Sequence, residues 1–184
     1  MVLCESERLL IRQFQAEDAK FIVELLNQES FIRYIADKQV RTEADAIRYL
    51  EEGPWASYQQ YGFGLNVVQL KGCNTPIGMC GLLKRPELDF PDLGYAFLPQ
   101  YCGQGYALEA AQIVLHHGFS IYSLNQVLAV TLPENLASNR LLQKAGFRCT
   151  GTVNLYGSDN NLYQFAHDYQ PIKSMMFASW QAEK

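Results

Sequence analysis

Residues 100–107, Gln-Tyr-Cys-Gly-Gln-Gly-Tyr-Ala, combine residue types and spacing that can do chemistry. Gly103 and Gly105 allow a tight turn and let a ligand approach the main chain without interference from a Cβ. A helical pattern follows at once, and a helix N-terminus offers unpaired N–H donors with partial positive charge. Such a loop suits a diphosphate; the competing reading is an ordinary glycine-rich turn. The dinucleotide-binding fingerprint is excluded because its third glycine is missing and the preceding strand lies mid-chain after a hairpin. A P-loop is excluded because no Gly-Lys-Ser/Thr follows.

The elements that must position this loop follow from hydrophobic period and turn chemistry. Residues 8–14 alternate as a strand, and 16–26 carry apolar residues at helical spacing. Thr42 is a good N-cap for a helix over 42–52, which Gly53-Pro54 is expected to stop. Strands are expected over 65–70 and 77–83, paired across the turn at 71–74, and over 92–98, broken by Pro99. A long helix over 105–122, a strand over 127–132 and a helix over 135–145, closed by Gly146, come next. Segments 149–156 and 162–165 read as a final hairpin around a polar loop at 157–161. The order predicts one mixed α/β (α+β) domain over residues 1–170. The apolar tail, 171–184, has no assigned structure and reads either as an edge strand or as a docked arm.

The 184 residues carry a formal charge of −4 with no long basic run, which argues against a nucleic-acid groove. No stretch is apolar enough to span a bilayer, and the N-terminus lacks the apolar core of a secretory signal. The five cysteines are dispersed, form no CxxC pair and complete no metal pattern with the histidines. They read as reduced thiols of a cytoplasmic protein, a monomer or a homodimer.

Beyond the glycine loop, Asn135, Ser138, Gly146 and Phe147 give N-x-x-S-(x)7-G-F at a fixed distance from Q-x-x-G-x-G. With the opening run at residues 5–12 and the run at 76–82, this pattern resembles the GNAT N-acetyltransferases, in particular the branch of ribosomal-protein N-terminal acetyltransferases. The resemblance extends over about residues 3–166. It implies a mostly antiparallel central sheet, flanked by helices and splayed between strands 92–98 and 127–132, with acetyl-CoA in the V-shaped cleft and no metal. The main chain at Ala96, Phe97 and Leu98 is expected to pair with the pantetheine arm. The pyrophosphate is expected on the amides of Cys102, Gly103, Gly105, Tyr106 and Ala107. Asn135 matches an asparagine that contacts the cofactor; it is also a helix cap, and the two roles can coexist.

The implied reaction is direct transfer of acetyl from thioester to amine, which needs a proton acceptor, an oxyanion donor and help for the departing thiolate. The expected oxyanion donor is a main-chain N–H near Ala96 or Phe97 on a bulged strand. Asp92 matches the position of a carboxylate in many relatives and is the candidate base, its pKa raised by burial; alternatively it is a solvated strand-start residue after Pro91. The tyrosine that many relatives carry as the acid is replaced by Leu142. Ser138 matches the serine of the ribosomal-protein branch and either points at the sulfur or satisfies a backbone N–H. Tyr95 has no assigned role, and Glu109 is read as compensating the helix dipole. His116 and His117 are read as packing; the aromatics Phe31, Tyr34, Trp55, Tyr58 and Tyr61 border the region where the acceptor would bind, with core packing as the commoner role of such residues. The acceptor is a small amine or a protein N-terminus. The alternative activity is a non-catalytic acyl-CoA sensor.

Overall fold

The computed structural model describes residues 1–166. The expected tail over 171–184, with His167 and Asp168, lies outside the described residues. Eight strands form one sheet in the order β1-β2-β3-β4-β5-β6-β8-β7. They are β1 (Val2–Glu5), β2 (Leu9–Arg12), β3 (Leu65–Leu70), β4 (Pro76–Leu83), β5 (Asp92–Phe97), β6 (Gln126–Thr131), β7 (Arg148–Leu155) and β8 (Ser158–Ala166). The helices are α1 (Ala19–Leu26), α2 (Glu29–Tyr34), α3 (Glu43–Leu50), α4 (Ala56–Tyr61), α5 (Tyr106–Tyr122) and α6 (Leu136–Lys144). Every neighbouring pair of strands is antiparallel except β5 and β6.

Alternation along the strands divides the apolar residues between two faces. On one, Ala110, Ala111 and Val114 of α5 cover Leu82, Leu93 and Phe97. On the other, Ile22, Leu25 and Leu50 of α1 and α3 pack with Val67, Met79 and Leu98. A smaller cluster of Leu88, Leu128 and Leu155 continues that second face beyond β5.

β5 and β6 are joined by α5 and share a single register pair, Asp92 with Leu128. The Leu128 N–H donates to the Pro91 carbonyl at 2.9 Å. Past that point the two strands part, which is the splay expected from sequence. The expected bulge in β5 is absent: its register with β4 runs one to one from Leu83–Asp92 to Gly78–Phe97.

Three local expectations differ. Gly53-Pro54 does not stop the helix at Thr42; the chain continues through a π turn, Glu51–Trp55, into α4. The wider turn accommodates the missing proline N–H, and Trp55 Nε1 anchors it by donating to the Phe14 carbonyl at 3.0 Å. The last hairpin turns on Tyr156 and Gly157 alone, both at positive φ, so Ser158–Asn161 belong to β8. Their polar side chains lie on an exposed part of the sheet, where alternation of polarity gives no strand signal. Finally, β1 and α2 are additional elements, each too short to show a period.

Candidate functional site

The mouth of the splay is built by the glycine loop. After β5, Leu98 leads into a single 3-10 turn, Pro99–Tyr101. Gly103 and Gly105 follow at φ 76° and 85°, a left-handed geometry costly for any residue with a side chain. The first bond of α5 runs from the Glu109 N–H to the Gly105 carbonyl at 3.0 Å. The amides of Tyr106, Ala107 and Leu108 therefore precede any intrahelical acceptor, and no side chain caps the helix. Cys102 is different: its N–H donates to the Pro99 carbonyl at 3.1 Å, so the turn has already used the amide expected to bind diphosphate. Its thiol points back to the Leu98 carbonyl at 3.7 Å, and burial raises its pKa.

A brace that sequence reading missed holds this loop from below. Arg8 Nη1 donates to the Gln104 carbonyl at 3.1 Å, and its guanidinium lies 4.4 Å from the centroid of the Tyr106 ring. Arg8 Nε donates to Glu109 Oε2 at 2.7 Å, and Ser6 Oγ donates to Glu109 Oε1 at 2.6 Å. Glu109 thus ties the β1–β2 connection to the first turn of α5, beyond compensating the dipole. Partial burial raises its pKa, but the hydrogen bonds from Ser6 and Arg8 outweigh burial and hold it below the usual value. Arg8 and Glu109 stand 101 positions apart, so no local pattern joins them.

Along β5 the main chain alternates its polar groups between its two neighbours. The Leu98 N–H donates to Ile77 of β4 at 2.9 Å, whereas the Pro91 carbonyl accepts from β6. By this alternation Ala96 and Leu98 spend their main-chain groups on β4, and Tyr95 and Phe97 turn theirs towards the opening. Of the three residues expected to pair with pantetheine, Phe97 has the required orientation, and Tyr95 joins it.

Asp92 lies at the floor of the splay, 1% exposed. Arg85 Nε contacts its two oxygens at 3.0 and 2.9 Å. Burial raises the carboxyl to a pKa of about 6, against the opposing pull of Arg85. This is not a solvated turn residue. Arg85 Nη1 in turn donates to the Tyr156 hydroxyl at 3.2 Å, linking the floor to the exposed β7–β8 turn.

On the far wall, Asn135 caps α6: its Oδ1 accepts from the Ser138 N–H at 3.1 Å. Ser138 is thereby released from capping, and its Oγ lies 2.6 Å from the Tyr95 hydroxyl across the cleft. Asn139, also missed from sequence, is buried and fastens this wall. Its Nδ2 donates to the carbonyls of Leu132, Pro133 and Asn135, and its Oδ1 accepts from Asn161 and Tyr163 of β8. Leu142 is wholly buried in the core and faces no opening.

Of the aromatics, Phe31 is core. Trp55 and Tyr58 hydrogen-bond to the main chain of Phe14 and Leu65, so these three serve packing. Tyr34 lies against Arg33, and Tyr61 stacks with Phe63. His117 packs against Tyr122 on α5. All five cysteines are unpaired, and among the described residues no group of His, Cys, Asp and Glu is arranged to hold a metal. No described helix is long and apolar enough to cross a membrane.

A sheet that parts between two parallel strands, with an uncapped helix N-terminus at the opening, is the frame of an acyl-CoA-dependent transferase, and it is not a Rossmann sheet. Residues 8–148 match the family described as Acetyltransferase (GNAT) domain. The chain belongs to that family and is an acetyl-CoA-dependent N-acetyltransferase. It is 31% identical over 146 residues to an uncharacterized N-acetyltransferase, YnaD, of Bacillus subtilis, covering 79% of this chain and 82% of that one. Among solved structures, a GNAT-family acetyltransferase from Bacillus anthracis superposes with a TM-score of 0.73 at 29% identity, covering 90% of this chain and 98% of that one. A ribosomal L7/L12 alpha-N-protein acetyltransferase, solved in complex with coenzyme A, gives a TM-score of 0.76 at 15% identity, covering 90% and 98%. That last likeness is one of fold.

Proposed function

We propose that this chain transfers acetyl from acetyl-CoA to a primary amine by direct attack within a ternary complex, using the opening between β5 and β6. The observation that carries this reading is the parting of the two strands beyond the Asp92–Leu128 pair, with the unpaired α5 amides at its mouth. The pyrophosphate is held by the amides of Gly103, Gly105, Tyr106 and Ala107. The pantetheine runs beside β5, where Phe97 and Tyr95 present main-chain groups, with Ala96 and Leu98 fixing the strand on β4. Asn135 shapes the far wall through its cap.

The acceptor must lose a proton to become nucleophilic. Asp92 accepts it, and because the carboxylate is 1% exposed the proton reaches it through water. A pKa of about 6 suits a base that works near neutrality. A cleft-facing N–H of β5, at Tyr95 or Phe97, stabilises the oxyanion. Ser138 faces the departing sulfur. The fold likeness to a ribosomal-protein acetyltransferase supports a protein N-terminus as acceptor, with a small amine as the other class.

The test is release of coenzyme A on incubation of acetyl-CoA with peptides bearing free N-termini and with small amines. Amine-dependent release is expected for one class. Acetyl-CoA binding without release from any acceptor would count against transfer.

A further inference from the structure

The hydroxyl pair across the cleft carries an inference that rests on the reading just given. We propose that Tyr95 is a positioning residue that aims the Ser138 hydroxyl at the departing sulfur. The phenol donates to Ser138 Oγ, and the serine's own O–H is left free to hydrogen-bond the thiolate.

The direction of the bond follows from where each proton can go. The two oxygens are 2.6 Å apart. The phenol's other contact among the described residues is with the Ser138 carbonyl at 3.5 Å, the far limit of a hydrogen bond. Burial holds Tyr95 above the ordinary phenol range, so it keeps its proton and stays a donor. Its proton therefore goes to Ser138 Oγ.

The serine's own proton has then lost its usual outlet. A serine inside a helix ordinarily donates back to a carbonyl one turn earlier. Here the Asn135 carbonyl already accepts from the Asn139 N–H at 3.0 Å and from Asn139 Nδ2 at 2.8 Å. The Glu134 carbonyl accepts from the Leu136 N–H at 2.9 Å, and no hydrogen bond joins Ser138 Oγ to either carbonyl; among the described residues its one partner is the Tyr95 hydroxyl. With no bond to the preceding turn and a lone pair held by Tyr95, the hydroxyl hydrogen turns into the cleft.

In the step concerned, the tetrahedral adduct collapses. The oxyanion re-forms the carbonyl, the C–S bond breaks and its electron pair goes to sulfur. Ser138 donates a hydrogen bond to that thiolate without surrendering its proton, and the thiolate is protonated later by water. A phenol thus acts from the strand, one residue removed from sulfur, where Leu142 leaves none on the helix. A hydrogen bond received from the phenol also polarises the serine and makes it the stronger donor.

The experiment compares Tyr95→Phe, Ser138→Ala and the double variant, with melting temperatures as a folding control. One reading is kcat and KM with an acceptor that supports release; the other is the ultraviolet titration of the thiol of bound coenzyme A, which needs no acceptor. Tyr95→Phe is expected to lower kcat roughly tenfold with little change in KM for acetyl-CoA, less than the direct loss in Ser138→Ala. In the Ser138→Ala background it should cost nothing more. Bound coenzyme A should titrate below free coenzyme A in the parent and move back up in both variants. An equal fall in kcat with or without Ser138, or a bound thiol that titrates unchanged in Tyr95→Phe, overturns the proposal. Full turnover in Ser138→Ala also overturns it while leaving acetyl transfer standing. A parent chain that neither binds acetyl-CoA nor releases coenzyme A overturns the acetyl-transfer reading itself.

Discussion

Asp92 pairs a buried carboxylate with Arg85, and its behaviour is a balance of two large effects. Burial disfavours the anion and Arg85 favours it; burial wins, leaving the group near pKa 6. If Asp92 is the base, the rate must rise with pH as the carboxylate ionises near that value. Asp92→Asn is expected to lower kcat by roughly two to four orders of magnitude at neutral pH, with acetyl-CoA affinity little changed. Part of the rate should return at high pH, where the amine is already neutral. A pH–rate profile checks this, and near-normal turnover throughout would make Asp92 a structural residue. Arg85→Ala makes a separate prediction on stability. A carboxyl whose folded pKa lies above its unfolded value costs nothing below the unfolded value; the cost grows as pH rises from the unfolded to the folded value and is constant above it. Without Arg85 that folded value climbs further. The loss should reach about 3–5 kcal/mol at neutral pH, shrink on acidification towards about pH 4, and be relieved by adding Asp92→Asn. Denaturant melts of the single and double variants across pH measure it.

At the scale of elements, the glycine loop is positioned from two sides. Its own residues supply the left-handed turns, and Arg8 with Glu109 holds it against the β1–β2 connection. A Cβ at Gly105 would come within 3.3 Å of Arg8 Nη2, at a φ that side chains rarely adopt. Gly105→Val is therefore expected to strain the loop by about 1–3 kcal/mol and to abolish stabilisation by acetyl-CoA. Thermal melts with and without acetyl-CoA test it; an unchanged shift would place the diphosphate elsewhere. The far wall depends on Asn139 in the same way. One buried amide satisfies α6, the loop before it and β8 together, which is why Ser138 stands at a fixed place opposite Tyr95.

For the whole molecule, the opening is a consequence of topology. A parallel neighbour must be reached by a crossover, and α5 makes that crossover while its first turn faces the gap. A ligand that joins both walls binds only the folded chain and must stabilise it by mass action. Acetyl-CoA at one hundred times its Kd is expected to add about 2.7 kcal/mol, with NAD and ATP adding none at the same concentration. Melting curves with each compound decide the matter, and equal stabilisation by all three would point to a generic phosphate site.

Much of this was legible in the sequence because it is local. Hydrophobic period located β2 to β6 and the long helices, and glycine and asparagine marked the turn and the cap through backbone geometry. The type of each residue in 100–107 and 135–138 was enough to locate the glycine loop and the start of α6. What sequence left open depends on pairing at a distance. Whether Tyr95 faces one side or the other turns on register, since a slip of one residue reverses every side chain. Cys102 looked like a loop donor until the preceding 3-10 turn claimed its amide. Gly53-Pro54 read as a stop because local propensity has no knowledge of Phe14, whose carbonyl holds the π turn in place. Arg8 with Glu109, Arg85 with Asp92 and Tyr156, and Tyr95 with Ser138 were decided by the tertiary structure alone. Each joins side chains from separate elements, and a hydrogen bond forms only where the sheet and its helices bring donor and acceptor within about 3 Å.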